Sequence, residues 1–300
     1  MSRMGSLLTE QRNPRSRGLD RMDARSIVRL INAEDATVPA AVAAEEDALV
    51  AAVELVAAAF RRGGRLLYVG AGTSGRLGVL DAAECPPTFG TDPETVQGII
   101  AGGYGALVRA KEGAEDDAAA GAADLRERAP GPADVVVGIA TSGVTPYVLA
   151  ALGEARRAGT ATVFICCSPT EKDAAGADVV IAPAVGPEVV TGSTRMKAGT
   201  ATKLVLNTIT TSAWVLLGKT YENLMVDLTA TCDKLRDRAC RILAETTGAA
   251  HDEAAALIES AGGSVKVALV MKKTGAGAEE ARRLLDRSGG SVAKALEGGA

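Results

Sequence analysis

Three loops rich in hydroxyl side chains have the residue types and spacing that suit chemistry. They are Gly72-Thr73-Ser74-Gly75, Thr141-Ser142-Gly143-Val144-Thr145 and Ser193-Thr194, the last followed closely by Lys197. Each lies between an apolar run and a stretch with helical periodicity, so backbone N–H groups and hydroxyls gather at a helix N-terminus. That end of a helix carries partial positive charge and unpaired donors. The loops therefore predict binding of a phosphate or another anion.

Ser and Thr are also preferred as helix N-caps, which gives the same residues a simpler explanation. For one loop taken alone, the capping explanation is the better one. Three such loops at one edge of a sheet favour anion binding, because hydroxyls donate to phosphate oxygens without the bulk of a lysine side chain.

The first loop also overlaps the dinucleotide fingerprint G-x-G-x-x-G through Gly70, Gly72 and Gly75. That fingerprint needs an acidic residue about 20 residues further on, at the end of a second strand. Asp92 stands near that distance, but it precedes the next apolar run. We therefore expect no cofactor. No metal is expected either, since His251 is the only histidine and has no carboxylate–histidine spacing around it.

Strands and helices alternate around these loops. Short apolar runs predict buried strands at 66–69, 96–100, 134–140, 162–167 and 178–183. Helices are predicted at 26–33, 38–62, 76–85, 106–128, 147–158, 198–217 and 222–247. This alternation predicts an α/β fold with a doubly wound parallel sheet. Ligands of such sheets bind beyond the carboxyl ends of the strands, where the three loops lie.

Composition shifts divide the chain into three predicted segments. Residues 1–60 form an arm followed by helices, 61–248 form the sheet domain, and 249–300 form a small module of three short helices separated by glycines. The first 21 residues are polar and rich in arginine. They fit either a solvated, partly disordered tail or an arm folded over a site, including the site of a neighbouring subunit.

The composition excludes several classes of function. The net charge of −4 provides no overall attraction to nucleic acid or to an anionic membrane. No apolar stretch approaches the roughly 20 residues that span a bilayer. The five cysteines form no C-x-x-C pair, and their odd number without a signal peptide indicates reduced thiols and a cytoplasmic location.

Several motifs resemble a known family. Gly72–Arg76 and Ser142–Pro146 resemble the phosphosugar-binding loops of sugar-isomerase (SIS) domains. More specific are the runs DAAECPPT, EGAED and TGSTRMKAGT, which begin at Asp81, Glu112 and Thr191. Together with TEQRN from Thr9, they resemble the N-acetylmuramic acid 6-phosphate etherases over nearly the whole chain.

That resemblance implies a SIS-type, flavodoxin-like sheet in a homodimer whose sites are completed across the interface. It implies cleavage of the D-lactyl ether of N-acetylmuramic acid 6-phosphate, by elimination and then hydration. The products would be N-acetylglucosamine 6-phosphate and D-lactate, formed in cell-wall amino-sugar recycling. Glu84 would be the proton donor and Glu115 the base. From the residues alone, a solvated helix start, formed with Glu112, Asp116 and Asp117, is the better explanation of Glu115.

Two residues depart from the family pattern. Ala83 stands where the family often has Ser, and Val144 stands where it often has Arg. The second change removes one charge near the sugar, so it bears on affinity more than on the chemistry.

Two other functions remain open at this point. A sugar-phosphate aldose–ketose isomerase would share the fold, the phosphate loops and a base, but it would not release lactate. A non-catalytic sugar-phosphate sensor could keep the loops without the acid–base pair. The presence of both Glu84 and Glu115, with neither a helix-turn-helix module nor a second SIS domain, favours an enzyme.

Overall fold

The computed structural model describes residues 7–228 and 233–298, which divide into two compact units. Residues 7–83 and 94–210 belong to the first unit, and residues 84–93 and 211–298 belong to the second. The boundary expected at 248 from composition falls inside the second unit.

Parallel strands form the sheet of the first unit, and the described residues supply five of them, in the order β2-β1-β3-β4-β5. Their bounds are β1 Leu66–Gly70, β2 Val96–Ile100, β3 Val135–Ile139, β4 Ala161–Ile165 and β5 Val179–Ile181. The two central strands β1 and β3 are buried along their whole length, as expected for apolar runs covered by helices on both faces. The doubly wound, flavodoxin-like prediction is confirmed, and the winding of the sheet reverses between β1 and β3.

Among the described residues, eight helices begin in the first unit, two of which, α4 and α8, continue into the second. They are α1 Ala24–Asp35, α2 Val38–Ala43, α3 Glu46–Arg61, α4 Gly72–Phe89, α5 Gly105–Val108, α6 Ala118–Glu127, α7 Pro146–Arg157 and α8 Lys197–Leu216. Short 3-10 turns supplement them at Leu8–Glu10, Pro14–Ser16, Leu19–Arg21, Ala114–Asp116 and Pro169–Ala175.

Several predicted helix bounds are wrong. The helix α4 begins four residues earlier than predicted and continues through Pro86 and Pro87. The prolines are tolerated in its last turn, which closes when the N–H of Gly90 donates to the carbonyl of Pro86 at 2.9 Å. The single helix predicted at 38–62 is divided into α2 and α3. The helix predicted at 106–128 is interrupted at Gly113, whose φ of 73° no helix adopts.

The second unit contains a small antiparallel hairpin and, in the part of the chain that the structure describes, five further helices. The hairpin pairs β6 Thr220–Tyr221 with β7 Leu224–Met225, where the sequence predicted the start of a helix. The helices are α9 Asp233–Thr247, α10 His251–Ser260, α11 Val265–Thr274, α12 Ala278–Arg287 and α13 Val292–Glu297. The predicted pattern of short helices after residue 250 is confirmed. Their core includes Leu243 of α9, which explains why the unit extends beyond the predicted module.

No single helix within the described ranges has both the length and the apolar composition to cross a membrane. The helices α10 and α11, bent by 108° at their junction, satisfy those two criteria only when they are counted together.

The helices α6 and α7 approach each other closely because residue 121 is a glycine. A Cβ atom at Gly121 would lie 2.0 Å from the carbonyl oxygen of Tyr147. Tyr147 is itself fully buried, and its hydroxyl donates to Asp124 at 2.5 Å. Burial and the neighbouring Asp124 carboxylate raise the pKa of this tyrosine. The helix that follows β3 is thereby held firmly on the sheet.

We expect Gly121→Ala to lower the free energy of unfolding by about 1–3 kcal/mol, because the added methyl group must push α6 away from α7. Gly153→Ala in α7 is the matched control, since its new Cβ would meet nothing within 4 Å. Alanine is also the better helix former, so this variant should gain up to about 1 kcal/mol. Urea unfolding followed by circular dichroism measures both values. Equal stability of the two variants would contradict a tight contact between the helices.

Candidate functional site

An open cavity of about 380 Å³ is lined by residues of all three hydroxyl loops. The loops after β1 and β3 supply its floor, at the point where the winding of the sheet reverses. The contributing residues predicted from the sequence are Gly72, Thr73, Ser74, Glu115, Thr141, Ser142, Thr145 and Thr194. Leu7, Glu10, Ala71, Ile139, Val144 and Gly192 complete the lining. Gly75, Gly143, Ser193 and Lys197, also predicted, are not among the lining residues.

The loop after β1 is compact because two glycines let the helix start against the strand. A Cβ atom on Gly75 would lie 2.7 Å from the carbonyl oxygen of Gly70 and 2.6 Å from Cγ1 of Ile100. Gly75 is thus needed for packing, whereas Thr73 and Ser74 supply hydroxyls in the first turn of α4. Ser74 is buried. The start of α4 therefore presents backbone donors and hydroxyls to the cavity.

The loop after β3 allows the helix-capping explanation of its hydroxyls to be tested. Thr145 occupies the N-cap position of α7, yet its side chain accepts no hydrogen bond from the helix. Pro146 follows at the first helical position, as predicted, where its missing N–H is not needed. Gly143 adopts a φ of 85°, and a Cβ there would lie 2.5 Å from Cβ of Glu171. Thr141, Ser142 and Thr145 line the cavity, and Thr145 does not cap α7. The Ser142 hydroxyl accepts from the N–H of Val144 at 3.4 Å within the loop.

The third loop does not offer a helix N-terminus to a ligand, contrary to the prediction. The carboxylate of Glu188 already caps α8, since its two oxygens accept from the backbone N–H groups of Lys197 and Ala198 at 3.0 Å each. Glu188 is fully buried, and burial raises its pKa against the opposing effect of these hydrogen bonds. The contribution of this loop to the cavity is therefore limited to Gly192 and Thr194.

The side chain of Lys197 is directed to a carboxylate and not to the cavity. Its Nζ donates to Oε2 of Glu34 at 2.7 Å, and both side chains are buried. Asn13 donates to the same oxygen at 2.8 Å, and Arg15 pairs with Oε1 at 2.9 Å. Burial alone would raise the pKa of Glu34, but these hydrogen bonds and positive charges lower it. The ammonium group of Lys197 thus has a buried carboxylate partner, and its predicted contact with phosphate stays a prediction.

The N-terminal arm is folded against the first unit from residue 7 onward. Leu7, Thr9 and Asn13 are buried, and Asn13 also donates to the carbonyl of Pro187 at 3.1 Å. The solvated-tail interpretation is therefore wrong for residues 7–15, while residues 1–6 lie outside the described range. Leu7 and Glu10 extend to the cavity and form part of its wall.

Glu115 lies in the 3-10 turn that follows β2 and α5, and it faces the cavity of the hydroxyl loops. It also borders a smaller neighbouring cavity with Gly72, Arg76 and Lys111. The guanidinium of Arg76 donates to the carbonyls of Ala106 and Leu107 at 2.7 and 3.0 Å, which ties α5 to α4. A carboxylate and a set of hydroxyl donors thus share one cavity, as a general base and a phosphate site would.

Glu84 is placed differently. It is an exposed residue of α4 in the second unit, and the neighbouring Ala83 is exposed as well. Glu84 is not among the residues that line the cavity. The structure therefore brings Glu115 to the hydroxyl loops, whereas Glu84 belongs to the other compact unit.

Sequence reasoning missed four residues that shape the site: Leu7, Glu10, Glu34 and Glu188. Glu10 belongs to the run TEQRN that carried the family resemblance, which is the one signal that could have drawn attention to it. Glu34 and Glu188 belong to no motif. The partner of Glu34, Lys197, is distant in the chain, and the partners of Glu188 are backbone N–H groups, so neither contact leaves a local pattern in the sequence. Among the residues that the structure describes, no group of three His, Cys, Asp or Glu side chains could hold a metal ion.

Comparisons with known proteins identify relatives of this chain. The family model for the glucokinase regulatory protein N-terminal SIS domain matches residues 48–156, and the SIS domain model matches residues 120–212. An N-acetylmuramic acid 6-phosphate etherase of Gloeobacter violaceus is 59% identical over 265 residues, covering 88% of this chain and 87% of that protein. The enzyme of that name from Symbiobacterium thermophilum is 55% identical over 267 residues, covering 89% of each. A solved protein of E. coli CFT073 is 20% identical with a TM-score of 0.47, and the match covers 65% of this chain and 93% of that one.

We expect Lys197→Met to lower the free energy of unfolding by about 3–5 kcal/mol, because it leaves the Glu34 carboxylate buried without its main counter-charge. Lys172→Met is the matched control, since Lys172 is exposed and should contribute less than about 1 kcal/mol. Urea unfolding of the two variants and the parent protein measures the difference. A loss no larger in Lys197→Met than in the control would contradict the structural role of the pair.

Proposed function

Because the chain belongs to the N-acetylmuramic acid 6-phosphate etherase family, we propose that the cavity formed by the hydroxyl loops and Glu115 is where it carries out the reaction of that family. The protein is a carbon–oxygen lyase that cleaves the lactyl ether of N-acetylmuramic acid 6-phosphate in amino-sugar recycling. The observation that carries the assignment of the site is the shared lining: Glu115 and the hydroxyls of Ser74 and Ser142 face one cavity.

The phosphate of the substrate binds at the start of α4 and in the loop after β3. Both places present hydroxyl donors, and the N-terminus of α4 adds unpaired backbone N–H groups and the positive end of the helix dipole. Val144 lines the same cavity, so the departure from the family pattern leaves an apolar wall at that position. Binding of the phosphate thus relies on neutral donors, since the ammonium group of Lys197 is held by Glu34.

Elimination of lactate needs a base for the proton on carbon 2 and an acid for the oxygen that leaves carbon 3. Glu115 is the base, because its carboxylate faces the cavity in which the sugar lies once the phosphate is bound. Glu84 is the proton donor to the lactate oxygen. Elimination releases D-lactate. Water then adds to the unsaturated sugar, and this addition yields N-acetylglucosamine 6-phosphate.

A homodimer would account for the exposure of Glu84. Leu80 lies four residues earlier, on the same face of α4, and 53% of its surface is exposed. A second copy packed on this face would bury Leu80 and enclose Glu84, which gives a proton donor the water-poor surroundings that it needs. We also propose a cytoplasmic location, which the four free, buried cysteines among the described residues support.

Release of D-lactate from N-acetylmuramic acid 6-phosphate tests the function and separates it from an aldose–ketose isomerase or a sugar-phosphate sensor. Glu115→Gln should abolish both lactate release and exchange of the carbon 2 proton with solvent deuterium, because Gln keeps the shape but accepts no proton. Glu84→Gln should block lactate release but retain part of the exchange, since proton removal precedes departure of lactate. Losses of about 10²–10⁴-fold are typical of a general acid or base.

Asp116→Asn is the matched control for these variants, because Asp116 shares the 3-10 turn of Glu115 but does not line the cavity. Its turnover should stay close to that of the parent enzyme. A parent protein that releases no lactate would overturn the function. Near-normal turnover in both glutamine variants would instead overturn the roles of Glu84 and Glu115.

The phosphate site is tested separately with Ser74→Ala and Ser142→Ala. Each should weaken binding of the sugar phosphate by about 1–3 kcal/mol, the value of one charge-assisted hydrogen bond. Ser168→Ala is the control, because this serine also follows a strand, yet its hydroxyl is buried without a hydrogen-bond partner among the described residues and lies outside the cavity lining. Equilibrium binding of N-acetylglucosamine 6-phosphate measures all three, and unchanged affinity in both test variants would place the phosphate elsewhere.

A further inference from the structure

Glu10 places a carboxylate in the lining of the cavity. A negative charge is not expected in a site that binds only phosphate. The structure shows no hydrogen bond or ion pair of this carboxylate with any residue in 7–228 or 233–298. Its Oε2 lies 3.1 Å from the position that a Cβ on Gly192 would occupy, so a side chain at residue 192 would crowd it. Glu10 therefore brings acceptor oxygens, for which the residues in the described ranges supply no donor, to the lining of the cavity.

The segment that carries Glu10 is held on both sides. Leu7 and Thr9 are buried at 2% and 0% exposure, and the N–H of Glu10 donates to the carbonyl of Leu7 at 3.0 Å. Three residues further on, Asn13 is fixed by its bonds to Glu34 and to the carbonyl of Pro187. The backbone of Glu10 is thus positioned before any ligand binds, which reduces the entropy lost on binding.

The electrostatics of the cavity orient a sugar phosphate. A phosphate is attracted by the hydroxyls around Ser74 and Ser142 and repelled by the Glu10 carboxylate. An ionised carboxylate only accepts hydrogen bonds, whereas the ring of an amino sugar offers hydroxyl and amide N–H donors. The phosphate therefore favours the hydroxyls around Ser74 and Ser142, and the donors of the ring favour the carboxylate of Glu10.

We propose that Glu10 is a specificity-determining residue, whose carboxylate accepts a hydrogen bond from a hydroxyl or amide N–H of the bound sugar. This inference rests on the proposed function. It assigns to Glu10 the recognition of the sugar, as distinct from the recognition of its phosphate. Glu10 is exposed in the free protein, so water can hydrate its carboxylate. A ligand that covers the carboxylate without supplying a donor removes that hydration at a cost, so the site discriminates against such ligands.

The test compares two ligands, N-acetylglucosamine 6-phosphate and inorganic phosphate, by equilibrium binding to the full chain. Glu10→Ala should weaken binding of the sugar phosphate by about 10- to 100-fold, and Glu10→Gln by a smaller factor, because a neutral amide oxygen is a weaker acceptor. Binding of inorganic phosphate should stay unchanged or become tighter, since a nearby negative charge has been removed. Asp20→Asn is the matched control, an exposed carboxylate of the same arm outside the cavity lining.

The pattern of outcomes separates a recognition role from a structural one. Equal weakening of both ligands in Glu10→Ala would mean that the residue merely supports the cavity, and it would overturn the proposal. Unchanged affinity for the sugar phosphate would overturn it as well, while leaving lactate release by the parent enzyme, and hence the proposed function, intact. A parent protein that bound no sugar phosphate would overturn both.

Discussion

The buried ion pair between Lys197 and Glu34 is the contact on which the rest of the site depends. It joins the start of α8 to α1, and through Asn13 and Arg15 it also holds the N-terminal arm. Removing two charges from water is costly, and the cost is offset by further partners. The Glu34 carboxylate has them, since it is bound by Lys197, Asn13 and Arg15. Two walls of the cavity, the arm with Glu10 and the loop with Thr194, are therefore positioned by one polar cluster beneath them.

Much of the fold could be predicted because its signals are local. Each central strand is a continuous apolar run, and parallel strands buried on both faces have that composition. The hydroxyl loops could be placed at one edge of the sheet because alternation of strands and helices leaves few topologies. The position of Ser74 and Ser142 in one cavity follows from that reasoning. The contribution of Glu115 rested on the family resemblance, since its sequence neighbours alone favour a solvated helix start.

The remainder could not be predicted because it depends on contacts between distant parts of the chain. Lys197 has the charge and position of a phosphate ligand, and only the location of Glu34, 163 residues away, decides otherwise. Glu188 caps α8 from outside any helix motif, so the local sequence predicts an open helix end there. The local sequence also predicts that Pro86 and Pro87 end α4, yet the helix continues to Phe89 without the two N–H groups that the prolines lack. In each case the wider structure overrides a local preference.

The same separation of 163 residues has a consequence for the order in which the protein is made. At roughly 5–20 residues per second, the ribosome adds Lys197 about 8–30 s after Glu34. During that interval the arm and α1 lack the partner that anchors them, although β1, β2 and β3 have already been synthesised. The central strands can thus pair early, while the wall that carries Glu10 closes last. The nascent chain acquires a sheet before it acquires a complete binding cavity.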